Sequence, residues 1–148
     1  MTSLCPQERV CLVAIATNLL VSGYVLFRHL ELSGSGALEG ADATMTWARM
    51  VLWAVPVTIG LTVGLNVLVA AMVGDGKCGA PPDERDRLFR LRGMSTTGVV
   101  FGFGFLGSLI GLATGWAPLY GIISIYVAAT VADLVGNFVR LLCYRMSV

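Results

Sequence analysis

Four apolar runs, each long enough to cross a lipid bilayer, constrain this chain more than any other feature. They are Val10–Phe27, Met50–Val73, Met94–Ala113 and Leu119–Cys143. A helix needs roughly 20 such residues to cross a hydrocarbon layer about 30 Å thick. Within that layer every backbone N–H and C=O must be paired inside its own segment or a closed barrel. None of the runs alternates as a barrel strand does. The chain is therefore expected to be all-α: one domain over residues 1–148, an integral membrane four-helix bundle with spans near 10–28, 50–73, 94–113 and 119–143. Pro56 falls where the second span is expected to begin, and there a kink or a helix start is inexpensive.

Composition agrees. Hydrophobic residues make up 56% of the chain and charged residues 13%, whereas a soluble domain carries about a quarter charged residues. A net charge of +1 offers no electrostatic footprint for nucleic acid. The first run is not read as a cleaved signal peptide. Glu8 cancels Arg9 ahead of it, its apolar core exceeds the usual span of about 7–15 residues, and Arg28 and His29 follow before any small-residue cleavage site.

The basic residues give the chain a direction. With the N-terminus and C-terminus cytoplasmic, the inner segments hold Arg9, Lys77, Arg85, Arg87, Arg90, Arg92, Arg140 and Arg145, and the outer ones only Arg28 and Arg49. That asymmetry follows the positive-inside rule. The first outer loop, "HLELSGSGALEGADATMT", reads as a flexible Gly/Ser tether, and the second, "TGWAP", as a tight turn. Trp47, Trp53, Trp116 and Tyr120 are placed at the outer interface, where amphipathic rings collect. Cys5, Cys11, Cys78 and Cys143 then lie near the reducing side. They lack a CxxC pair or ligand-like spacing, and His29 is the single histidine, so no metal, haem or other cofactor is expected.

The charge is concentrated in "PPDERDRLFRLRG", residues 81–93, just ahead of the third run. Pro81 and Pro82 bias their neighbours to extended backbone. Asp83 is a natural helix N-cap, with Asp86 at the capping-box position. Asp83, Glu84 and Asp86 gather at the positive end of the helix dipole. Asp83 with Arg87 and Asp86 with Arg90 are spaced for four-residue ion pairs. Leu88, Leu91 and Ser95 mark one face at spacings of three and four. Arg85 and Arg92 are suited to lipid phosphate or to a partner's carboxylates. The bland role of the segment is a capped helix that pins the third span. Its functional role is a docking surface, over residues 75–92, for a cytoplasmic regulator or another membrane protein.

"DERDRLFRLRG" opening the third span and "ADLVGNFVRLLCYR" closing the fourth resemble a family of small, uncharacterised bacterial four-helix membrane proteins. In that family a DERD-type motif precedes the third helix. The likeness covers residues 81–146, with Asp83, Glu84, Arg85, Asp86, Arg87 and Gly93 matching the motif. It implies a regulatory or accessory role in the bacterial cytoplasmic membrane, without catalytic residues.

The spans themselves carry a polar set, Asn18, Asn66, Asp133 and Asn137. Counted from the cytoplasmic ends the first three reach a similar depth, about 10–14 Å at the helical rise. Asp133 and Asn137 share a face that Tyr126, Thr130 and Arg140 extend. An intramembrane carboxylate faces the bundle interior or a water-filled cavity. A neutral Asp133 is expected to donate to an asparagine carbonyl. The set is either interhelical glue or the centre of a proton- or cation-coupled transporter or channel. Small residues recur at Gly60 and Gly64, at Gly98 and Gly102, at Gly107, Gly111 and Gly115, and at Ala128, Ala132 and Gly136. Such rows let helices approach closely, and one of the two on the third helix is left to meet a second copy, as in a homodimer, or a partner helix. No nucleophile–base pair or phosphate loop points to an enzyme.

Overall fold

The computed structural model describes residues 6–40, 42–73 and 84–146, and within them the chain is four long helices. They are α1 (Pro6–Gly34), α2 (Ala43–Val73), α3 (Glu84–Ala113) and α4 (Pro118–Met146). All four are long and apolar enough to cross a membrane. At about 1.5 Å per residue each helix is longer than the hydrocarbon is thick, so each carries a polar extension beyond its apolar run.

Two of the turns are built alike. At the end of α1, Ala37 N–H donates to the Leu32 carbonyl at 3.1 Å and Gly36 N–H to Ser33 at 3.2 Å. At the end of α3, Trp116 N–H donates to Gly111 at 3.0 Å and Gly115 N–H to Leu112 at 3.2 Å. Both are Schellman caps, and both place a glycine at positive φ, Gly36 at 73° and Gly115 at 101°. A side chain is disfavoured in that conformation, which is why glycine ends these helices. The α1 cap shortens the first loop. What the sequence presents as a long tether is helical to Gly34 and again from Ala43, and Leu38 of the turn packs against the core.

The early start of α2 changes two further expectations. Pro56 sits inside the helix rather than in its first turns. It leaves the Leu52 carbonyl without its usual N–H donor. Two residues on, Thr58 Oγ1 donates to the Ala54 carbonyl at 2.7 Å. Trp47, expected among the interfacial rings, is only 2% exposed. Its ring meets Tyr126 of α4 edge-on, with centroids 5.6 Å apart. Trp53 is 74% exposed, and Trp116 and Tyr120 are also exposed, as lipid-facing rings should be. Around Trp47 lie Val21, Val25 and Ala54, forming the apolar core shared by α1, α2 and α4.

The bundle is open. α1, α2 and α4 pack on one another, and α3 lies along α4; the backbones of α3 and α2 do not approach each other among the described residues. The α3–α4 seam is made of small residues. A Cβ on Gly136 would meet the Gly93 carbonyl oxygen at 2.9 Å and press on Thr97, and one on Gly104 would strike Ala128. Ser124 Oγ donates to Ser108 Oγ at 2.8 Å across the same seam. The contacting row on α3 is thus Gly93, Thr97, Gly104, Ser108 and Gly111. Gly98, Gly102 and Gly107 face open space, as do Gly60 and Gly64 of α2.

Candidate functional site

Two polar sites emerge, one inside the bundle and one at its basic end. The inner site lies midway along α1 and α4. Asn18 Nδ2 of α1 donates to Asp133 Oδ2 of α4 at 2.7 Å. Asn137 Nδ2, one turn on from Asp133, donates to Asp133 Oδ1 at 3.1 Å. Both carboxylate oxygens are therefore acceptors. Asn18 turns its own carbonyl to Ser22 Oγ, which donates at 3.1 Å. The sequence leads one to expect Asp133 as donor to an asparagine carbonyl. The geometry runs the other way, because each amide brings N–H groups to a side chain rich in lone pairs.

Three of the four intramembrane polar residues are thus gathered. Asn66 is not, since its Nδ2 donates to the Thr62 carbonyl of its own helix at 2.8 Å. From α2 it is the threonines that reach the site. Thr58 and Thr62, with Thr17, Asn18 and Ser22 of α1 and Tyr126, Thr130 and Asp133 of α4, line a cavity of about 390 Å³. Thr17 Oγ1 is buried there without a hydrogen-bond partner. Tyr126 and Thr130 are expected on the Asp133 face from the sequence; Thr17, Ser22, Thr58 and Thr62 are not, although Thr58 and Thr62 lie one helical turn apart. A polar cavity around a carboxylate can hold water or a small cation.

The second site is where the starts of α1 and α3 meet the end of α4. Gln7 Nε2 donates to Asp86 Oδ2 at 3.1 Å, and Glu8 Oε1 lies 3.8 Å from Arg145 Nε. Arg9, Arg85, Arg87, Arg90, Arg92, Arg140 and Arg145 therefore belong to one end of the molecule, and Arg28 and Arg49 to the other. Asp83 lies outside the described residues, as do Lys77, Cys5 and Cys78. Asp86 takes Gln7 as its partner, and no ion pair joins it to Arg90 among the described residues.

The face of α3 that packs here is not the one that Leu88, Leu91 and Ser95 mark. Phe89 and Gly93 are buried, whereas Leu88 and Leu91 are 56% and 52% exposed. Gly93 permits the approach of α4, and Phe89 meets Tyr144 edge-on with centroids 5.2 Å apart. Helix–helix contact is set by the small residue and the ring that fits beside it, not by the leucines. Arg85 rests over Phe89, its guanidinium carbon 5.5 Å from the ring centroid. Glu84, Arg85, Arg87, Arg90 and Arg92 are all exposed. Successive helical residues advance by about 100°, so Arg85, Leu88 and Arg92 share one side of α3. Asp86, Arg87 and Arg90 share another, which turns toward α1 and α4. Among the described residues no group of three His, Cys, Asp or Glu side chains is placed to hold a metal ion. No protein-family model matches the chain, and neither a curated protein nor a solved structure matches it.

Proposed function

We propose that this chain is an accessory or regulatory protein of the bacterial cytoplasmic membrane, not an enzyme, with its basic end facing the cytoplasm. The same proposal includes kinship with the small four-helix proteins that share its DERD-type motif. The observation that carries it is the helical extension of α3. Its first turns hold the densest charge of the chain, standing outside the apolar run, with Arg85, Leu88 and Arg92 exposed on one side. Two guanidinium groups flanking an exposed leucine complement an acidic, partly apolar segment of a cytoplasmic protein.

A photo-crosslinking residue at Leu88 tests this in cells. A discrete protein adduct that disappears in the Arg85→Gln, Arg92→Gln double variant supports docking. Adducts to lipid alone, or a protein adduct indifferent to those charges, overturn it. Sidedness has its own test. A membrane-impermeant thiol reagent should leave Cys78 unlabelled until cells are lysed, and labelling of intact cells reverses the orientation.

A second reading is a small proton- or cation-coupled transporter or channel, working as a homodimer around Asp133. It is supported by the cavity itself, a hydroxyl-lined space holding a carboxylate among membrane-spanning helices. The two amide donors on Asp133 favour the first reading, because they satisfy both oxygens and one of them, Asn18, ties α1 to α4.

A further inference from the structure

At the basic end, Gln7 of α1, Asp86, Arg87, Arg90 and Leu91 of α3, and Arg140 and Tyr144 of α4 enclose a cleft of about 380 Å³. Three guanidinium groups face one carboxylate there, and that carboxylate already accepts from Gln7. Glu8, the nearest acid on α1, is directed to Arg145. Donors are in excess for a second reason. Arg140 Nε is buried with no hydrogen-bond partner, and a buried donor of this kind destabilises a folded protein until an acceptor is supplied. Tyr144 Oη, buried beside it, is short of full hydrogen-bond geometry and has the Asp86 carboxylate and the Arg140 guanidinium as its neighbours. Arg87 and Arg90 stand exposed at the rim.

An anion with several oxygens answers both imbalances, and guanidinium forks match the oxygens of phosphate in pairs. The level of the cleft adds to this. Gln7 lies just ahead of the first apolar run, and Arg140 and Tyr144 fall in the last turns of α4. That is the boundary where hydrocarbon gives way to lipid headgroups, and Leu91 adds an apolar wall.

We propose that this cleft binds a phosphate-bearing anion, held by Arg87, Arg90 and Arg140 with Tyr144 as a neutral donor. The phosphate belongs either to the headgroup of an acidic lipid or to a soluble phosphate compound. The site rests on the membrane-spanning architecture and is independent of protein docking, because Arg85, Leu88 and Arg92 lie on another side of α3.

Native mass spectrometry of the protein released from phosphatidylcholine nanodiscs doped with phosphatidylglycerol tests the lipid source. The parent should retain phosphatidylglycerol about tenfold above its bulk ratio, as expected for charge-assisted contacts. Arg87→Gln with Arg90→Gln should bring retention down to the bulk ratio. Arg85→Gln with Arg92→Gln removes the same charge and should leave it unchanged. Tyr144→Phe keeps every charge and should weaken retention by about threefold, the loss of one neutral hydrogen bond.

Calorimetry with inorganic phosphate, on protein in phosphatidylcholine discs alone, tests the soluble source. Heat that vanishes in the Arg87→Gln, Arg90→Gln variant assigns the site to a free phosphate compound. Neither enrichment nor phosphate binding in the parent overturns the proposal. So does an equal loss in the two double variants, which would mark a general surface-charge effect. Circular dichroism confirms that each variant is folded, and Tyr144→Phe carries the test if the double variant is not.

Discussion

The α3–α4 hairpin and helix α2 solve the same problem in opposite ways. In the hairpin, small residues bring two backbones together along nearly the whole seam, from Gly93 against Gly136 to Gly121 against Leu112. A four-residue turn closed by Gly115 holds it at one end. Helix α2 carries a comparable pair of glycines, Gly60 and Gly64, yet both face open space. It is anchored near its start by a single large ring, Trp47, set among Val21, Val25 and Tyr126. Further along, α2 contributes hydroxyls to a cavity instead of closing onto its neighbours. Lipid tails are as apolar as leucine, so helix association rests on close contact and polar bonds rather than on hiding apolar surface. A glycine pair counts only where a partner backbone reaches it.

The comparison breaks most readily at Trp47. Trp47→Ala should destabilise the protein by about 3 kcal/mol, the usual consequence of truncating a buried ring. Thermal unfolding in detergent measures the loss, and hydrogen exchange locates it. Faster exchange should concentrate in α2, and equal loss of protection through α3 and α4 would show that the hairpin does not stand apart.

Gly136→Ala comes next. Its Cβ would press on Thr97 and on the Gly93 backbone oxygen, 2.9 Å away, and overpacking of this kind costs about 2 kcal/mol. An unchanged unfolding temperature would mean that the seam is looser than its geometry.

Asp133 sharpens the inner boundary between the two regions. Asp133→Leu takes the carboxylate acceptor from Asn18, while Asn137 keeps the backbone carbonyl of residue 133, 3.0 Å away; the change should cost about 1 kcal/mol. Asp133→Asn keeps the size and one acceptor oxygen, and its stability should match the parent closely. A partner-binding or transport assay across pH then separates the two functional readings. Equal behaviour of parent and Asn variant at every pH removes the transporter, and loss of pH dependence at unchanged stability removes the glue.

The smallest effect belongs to the open glycines. Gly64→Ala and Gly98→Ala meet nothing within 4 Å. In a monomer each should gain about 0.5–1 kcal/mol from helix propensity. A loss in detergent, together with a shift in mass on light scattering, would reveal a second copy seated on that face.

Much of this architecture is legible in the residues one at a time. Each apolar run is a sum of individual transfer preferences, and the runs at Val10, Met50, Met94 and Leu119 announce four helices before any contact is known. Gly115 and Gly36 are less plain: the sequence sets one in a small-residue row and the other in a Gly/Ser tether, and only the chain's path shows that both end helices. The charged "ERDR" ahead of Met94 marks a helix extending beyond the hydrocarbon. Asn18, Asp133 and Asn137 draw notice because polar groups are rare in lipid.

Tertiary structure alone decided which way each helix faces. In water, an apolar stripe tells a helix where its core lies. In lipid both environments are apolar, so Leu106 and Ile110 carry no sign of their exposure, and Ala132 and Gly136 none of their burial. The same blindness hid the use of Gly104 over Gly102, the turning of Trp47 inward, and the choice of Thr58 and Thr62 over Asn66 at the inner site. Those outcomes depend on how closely one backbone approaches another. That distance is a property of two helices together, and no single stretch of sequence contains it.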